Sequence, residues 1–299
     1  MAEIAPTDVA FLAEAAAYLE SPSYLMKLAD AIGTPLKKLA KVVVPERVVA
    51  IGNKALQGAM RLAAESVVRT ASKDDLEQAY RASGWTGFWH RLATTATGGV
   101  SGAFGLAGLA VEMPVTTGIM FRSIASIAHD FGEDLDVPEG RLQCIAVLGH
   151  AGPGSADDGV DASYLTARVA MATLVRDAAA FMSARGAQDI SETLARGLAP
   201  ALVSFVERVA AQFNVVVSQK LMAQSIPVIG IATGATINNV FTGHFNSVAR
   251  YHFGIRRLER QYGTDAVYAE YRRQLRLLRG EPKRIGPPTA ESILRSEEP

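Results

Sequence analysis

Residues 221–249 read LMAQSIPVIGIATGATINNVFTGHFNSVA, and this stretch decides the fold class. It contains no Lys, Arg, Asp or Glu, and His244 is its sole ionisable side chain. Pro227 and Gly230 break it near its start, and no alternation of polar and apolar residues marks a strand. The reading is a helical hairpin. Residues 92–121 form a second such stretch, with Glu112 as the only charge and Pro114 just beyond it. About 20 apolar residues suffice to cross a bilayer, so both are long enough. Both are rich in Gly, Thr, Ser and Asn rather than Leu, Ile and Phe, which makes insertion into hydrocarbon unfavourable at several positions. Buried or interfacial hairpins are the favoured reading, with true spans as the alternative.

The rest of the 299 residues reads the same way. Val48, Ile51, Ala55, Leu62 and Val67 fall at helical spacing. Ser191, Leu194, Leu198, Leu202, Phe205 and Val209 predict another long helix, with Pro200 as a kink. Further helices are expected from Thr7 or Asp8 to Glu20, over Leu142–Leu148, from Asp161 or Ser163 to Met182, and from Asp265 to Arg279. An acidic connection is expected over 132–140. Val42–Val44 and Val215–Val217 are β-branched triplets, but both sit inside helical periodicity. The expected fold is all-α, a compact multi-helix bundle with two Gly/Pro-interrupted apolar hairpins. The expected organisation is an N-terminal helical extension (1–34), a main helical domain (35–280) and a polar, proline-rich disordered tail (281–299).

Composition narrows the function classes. Apolar residues make up 49% and charged residues 20%, enough to bury a core and too apolar for a disordered chain. Thirty basic residues balance thirty acidic ones, which argues against a generic nucleic-acid binder. One cysteine, Cys144, excludes a disulfide scaffold and fits a reducing compartment. The N-terminus lacks a basic region ahead of its apolar residues, so a cytoplasmic location is expected, peripheral on the inner face of the cell membrane if the chain meets lipid.

The charge balance is an average. Residues 129–161 hold eight Asp/Glu and one Arg, whereas residues 250–284 hold ten Arg/Lys and four Asp/Glu. The two segments are complementary and could pair with each other. Alternatively Arg256, Arg257, Arg272, Arg273 and Arg276 face anionic lipid headgroups. Trp85 and Trp89, with Phe104, Leu106, Ile226, Val228 and Ile229 of the hairpins, are the candidate contacts to a membrane or an apolar protein partner.

Three stretches together resemble the EcsC family. The first is Gly105-Leu106-Ala107-Gly108-Leu109-Ala110-Val111-Glu112-Met113-Pro114, running on through Arg122 to Phe131-Gly132. The second is Ser155-Ala156-Asp157-Asp158 through Tyr164 and Arg168. The third is Ile226-Pro227-Val228-Ile229-Gly230, then Asn238-Asn239, His244 and Arg256-Arg257-Leu258-Glu259. The resemblance covers roughly residues 35–280 and implies an α-helical, membrane-associated or cytoplasmic bacterial protein. The family takes its name from a gene beside an ABC transporter, which implies a role accessory to transport or secretion. The first hairpin is also similar to a hydrophobic domain appended to Era-like GTPases, but the chain has no GxxxxGK[ST] and that activity does not carry over.

No motif identifies a reaction. Glu112, alone in its apolar stretch, is either a structural carboxylate paired or capping the helix that Pro114 opens, or a proton- or ligand-responsive group. The candidate polar site comprises Glu112, Arg122, His129, Asp157, Asp158, Tyr164, Arg168, Asn238 and His244; the resemblance implies that Asp157, Asp158, Tyr164 and Arg168 share one hydrogen-bonded site. There is no HExxH, CxxC or EF-hand pattern, so no metal and no cofactor is expected. Cys144 sits among Leu142, Ile145 and Leu148 and reads as a buried, inert thiol. The alternative function is a hydrolase built on Glu112, His129, Asp157 and Asp158, with or without a metal.

Overall fold

The computed structural model describes residues 3–20, 27, 120–150, 163–185, 189–190, 192–193, 196, 198–224 and 231–280. Every regular element among these is helical, and none is a strand. The chain divides into two units, Met1–Ser21 with Leu258–Pro299, and Pro22–Arg257.

In the first unit, helix α1 spans Pro6–Leu19. Pro6 opens it because the first turn needs no amide hydrogen from that residue. The expected capping by Thr7 or Asp8 does not occur. Ala5 is the N-cap with no side-chain bond, and its carbonyl accepts from the backbone N–H groups of Asp8 and Val9. The Asp8 carboxylate instead accepts from the Tyr262 hydroxyl at 2.8 Å.

In the second unit, helix α2 covers 120–130 and buries Met120, Ile124 and Ala128, one residue per turn. It ends in a Schellman turn. Gly132, at φ 77°, donates to the His129 carbonyl, and Glu133 donates to the Ala128 carbonyl. The acidic connection is shorter than expected, because Pro138 starts helix α3 (Pro138–His150). Gly140 and every residue from Leu142 to Gly149 are buried, so α3 is a central helix with no solvent face over that run. It packs on α4 (Ser163–Ser183) and α5 (Pro200–Gln224), which also pack on each other. Gly149 permits this approach: a Cβ there would press on the Met171 side chain of α4 and meet Val209 of α5.

Pro200 opens α5 and does not kink it; Leu198 and Ala199 ahead of it are not helical. A proline lacks the N–H an interior turn requires, whereas the first turn has no such need. Helix α6 (Ile231–Tyr262) is continuous through Gly254. Phe213 of α5 meets Phe241 and Phe245 of α6, with ring centroids 6.2 and 5.3 Å away, and Phe241 and Phe245 lie edge to face at 5.1 Å. Of the two charge-poor stretches, 92–119 and 225–230 lie outside the described residues. Pro200–Gln219 is long and apolar enough to cross a membrane by length and composition, with 33% of that window buried inside the protein.

Helix α7 (Thr264–Leu278) belongs to the first unit with the last turn of α6. Asp265 does not cap it. Gly263 is the N-cap at φ 87° and ψ 148°, and Asp265 sits in the first turn. Helix α7 packs on α1 through Val267, Tyr271, Gln274 and Leu275, and the Tyr271 hydroxyl donates to the Glu20 carboxylate at 3.3 Å.

Candidate functional site

The most organised polar chemistry among the described residues is buried between α3, α4 and α6. Gln143 interrupts the apolar run of α3 and is buried, as are Tyr164 at the start of α4 and His252 on α6. The His252 ring bridges the other two. Its Nε2 lies 3.1 Å from Gln143 Oε1, and its Nδ1 lies 3.0 Å from the Tyr164 hydroxyl. An amide oxygen only accepts, so Nε2 carries the proton. Burial pushes the His252 pKa well below its usual range, and the electrostatic influence of His150, Arg168 and Arg256 pushes the same way. The ring is therefore neutral, Nδ1 is a lone pair, and the Tyr164 O–H donates into it. With the Gln143 amide oxygen facing Nε2, the hydrogen bonds run from Tyr164 through His252 to Gln143.

His150 ends α3 beside this relay. Its ring stacks on His252 at 4.9 Å and meets Tyr164 edge-on at 5.6 Å. Its Nδ1 is buried and has no hydrogen-bond partner. Burial, then the nearby Arg168 charge, pulls its pKa down to about 3. Arg168 is one turn beyond Tyr164 on α4 and is itself buried. The set has the parts of an acid–base site: a phenol, a base oriented by an amide, and a second neutral imidazole.

A charged clamp fixes α6 to the start of α3. Arg256 donates through Nε and Nη2 to the two oxygens of Glu133 at 2.9 and 3.1 Å, and Nη2 reaches Glu139 at 3.4 Å. The Glu133 side chain is 4% exposed and that of Arg256 is 19% exposed. Burial alone would lower the Arg256 pKa, but the hydrogen bond and charge of Glu133 outweigh it and raise it. Arg257 places its guanidinium over the Phe131 ring at 5.8 Å. The acidic and basic segments thus pair with each other at this point, where Arg256 spends its charge within the protein, while Arg257 is exposed. Cys144 is buried in the same region and burial, more than any charge, pushes its thiol up to about 12.

Along α7, Arg272 and Arg273 are exposed and Arg276 is half-buried, and Arg279 is exposed at the C-cap just past the helix. Glu270 pairs with Arg273 at 2.9 Å. Among the described residues, Arg272, Arg276 and Arg279 make no ion pair. Beside them Leu277 and Leu278 are exposed, at 60% and 54%.

Of the residues singled out in the sequence, the structure brings Tyr164 and Arg168 to the buried cluster. Arg122 and His129 are on α2 and exposed, and His129 lies 3.9 Å from Asp130. His244 is buried on α6 with its ring edge-on to Phe245 at 5.6 Å. Asn238 lies in α6, its side chain outside the described residues. Glu112, Asp157, Asp158, Trp85, Trp89, Phe104, Leu106, Ile226, Val228 and Ile229 also lie outside them. Gln143, His252 and His150 join the cluster without having been placed in the candidate site. The legible signal for Gln143 was a lone amide inside an apolar helical run, which needs a buried partner. Among the described residues no group of three His, Cys, Asp or Glu side chains could hold a metal ion.

No curated protein and no solved structure matches the chain. The profile of the EcsC protein family matches residues 14–258, which run from within α1 to within α6 and include the whole buried cluster. With most of its length matched, the chain belongs to the EcsC family.

Proposed function

We propose that this EcsC-family chain is a peripheral membrane protein of the cytoplasmic face, accessory to a transport or secretion machinery. The observation that carries the reading is the exposed side of α7. Exposed Arg272, half-buried Arg276 and, at the C-cap, exposed Arg279 make no ion pair among the described residues, next to exposed Leu277 and Leu278. Cationic side chains near an anionic surface are attracted by about 1 kcal/mol each, and flanking leucines add burial in the headgroup region. The zero net charge does not oppose this, because it averages an acidic middle and a basic end.

Co-sedimentation with vesicles tests it. The full chain is expected to pellet with phosphatidylserine-containing vesicles and to stay in solution with phosphatidylcholine alone. Equal behaviour with both overturns the electrostatic part, and no pelleting with either overturns membrane association.

A second reading, acid–base hydrolysis, is favoured by one observation, the oriented Tyr164–His252–Gln143 relay. It moves the candidate base from the exposed His129 to His252. Hydrolysis of activated esters that persists unchanged in His252→Gln would remove its basis.

A further inference from the structure

Helix α7 has the two-sided character of a helix that lies in a membrane interface. Val267, Tyr271, Leu275 and Leu278 follow one another at spacings of four, four and three residues and so share one apolar face. Gln274 on the same side spends its amide on Glu270 at 2.6 Å. Arg272, Arg273 and Arg276 lie off that face.

Within the folded chain most of the face is already occupied. Helix α1 packs on α7, and Val267, Tyr271 and Leu275 are buried. Helix α1 stops short of the end of α7. It ends at Leu19, and its C-cap Glu20 is level with Tyr271, whose hydroxyl it accepts at 3.3 Å. Leu278, two turns beyond Tyr271, is 54% exposed.

The contact is lightly held. Helix α1 buries Leu12, Ala15 and Ala16, one leucine and two of the smallest side chains. Its N-cap makes no side-chain bond, and an isolated helix of 14 residues is marginal in water. The Tyr262 hydroxyl bonds to Asp8 at 2.8 Å, and like the Tyr271–Glu20 bond it is part-buried, where water can take over. A lipid interface that receives Val267, Tyr271, Leu275 and Leu278 together competes with so small a cover.

We propose that α1 is an autoinhibitory cover for α7. With α1 seated, α7 meets a membrane through its arginines and the exposed Leu277 and Leu278. With α1 detached, the whole apolar face of α7 enters the headgroup region of an anionic bilayer. The proposal rests on the membrane reading above and adds the event that regulates it.

Leu12→Asn unseats α1 without altering the net charge or any residue of α7. The full-chain variant is expected to partition onto phosphatidylserine-containing vesicles at least about tenfold more strongly than the wild type, because apparent affinity follows the fraction of chain in the open form. Hydrogen–deuterium exchange of the wild type supplies a second readout, and it alone decides if Leu12→Asn does not fold. The amides of α1 are expected to lose protection when vesicles are added, while those of α7 keep theirs. If the wild type pellets, unchanged protection of α1 on the vesicles, or equal partition of the folded variant, overturns the cover and leaves the membrane reading standing. Pelleting of the variant alone upholds the cover and limits membrane binding to the open form. No pelleting of either chain overturns the cover and the membrane reading together.

Discussion

Tyr164 is bonded to His252 at a site where nothing else among the described side chains is seen to fill the role of donor to Nδ1. Tyr164→Phe leaves that lone pair buried and unsatisfied, and is expected to cost about 1–3 kcal/mol of stability, read as a lower urea midpoint at an unchanged slope. The two imidazoles also make stability depend on pH in a definite sense. Both are held neutral, His150 with a pKa of about 3 and His252 well below its usual range. In the unfolded chain each titrates near 6.5. Below that value the unfolded state takes up protons the folded state refuses, so stability is fully present above about pH 6.5 and declines as the pH falls towards 3. By pH 5 the loss from His150 should approach about 2 kcal/mol, with a further loss of the same sign from His252, and a series of urea titrations between pH 7.5 and 5 checks it. A flat series would mean that the rings are solvated or charged in the folded protein.

At the scale of the element, two joints carry strain or buried charge. Gly263 holds φ 87° and ψ 148° between α6 and α7, a region that side chains with a Cβ essentially avoid. No atom would crowd a new Cβ there, so Gly263→Ala isolates the backbone effect, expected at about 1–3 kcal/mol by thermal or chemical unfolding. The Glu133–Arg256 clamp behaves differently. Glu133→Gln leaves a guanidinium largely buried against a neutral amide, and the expected cost is about 3–5 kcal/mol. Replacing both, as Glu133→Leu with Arg256→Met, should cost less than the single change, because no charge is then left buried. The double-mutant cycle decides: a double variant as unstable as the sum of the singles would mean that the two side chains do not act as a pair.

For the whole molecule, the question is which charges remain available once the chain has folded. Arg256 is occupied by Glu133 and Glu139, and Arg273 by Glu270, whereas Arg272 and Arg279 are exposed and Arg276 half-buried, none of them in an ion pair among the described residues. Vesicle binding should therefore be lost in Arg272→Ala/Arg276→Ala/Arg279→Ala by about a hundredfold in partition coefficient, at about 1 kcal/mol per arginine. It should also weaken steeply between about 50 and about 500 mM salt, as expected for exposed charges when the Debye length falls from about 14 to about 4 Å. Retained binding at high salt in the triple variant would place the membrane contact elsewhere in the chain.

The sequence by itself determined the all-helical class, because apolar residues recur every three to four positions along α4 (Met171, Val175, Ala178, Met182) and no strand alternation competes. It also determined family membership and the inert Cys144, both matters of local order and composition. Prolines were legible as punctuation but not always as to kind: Pro200 starts a helix rather than kinking one. Only the tertiary structure decided the site. Gln143, Tyr164 and His252 are separated by 21 and 88 residues along the chain and meet because three helices bury one face each in a common core. Periodicity tells which face of a helix is buried, but the partner across the interface depends on helix packing, which no single segment encodes. The same holds for charge: composition counts the arginines, and only packing separates those paired in the interior from those left for a surface.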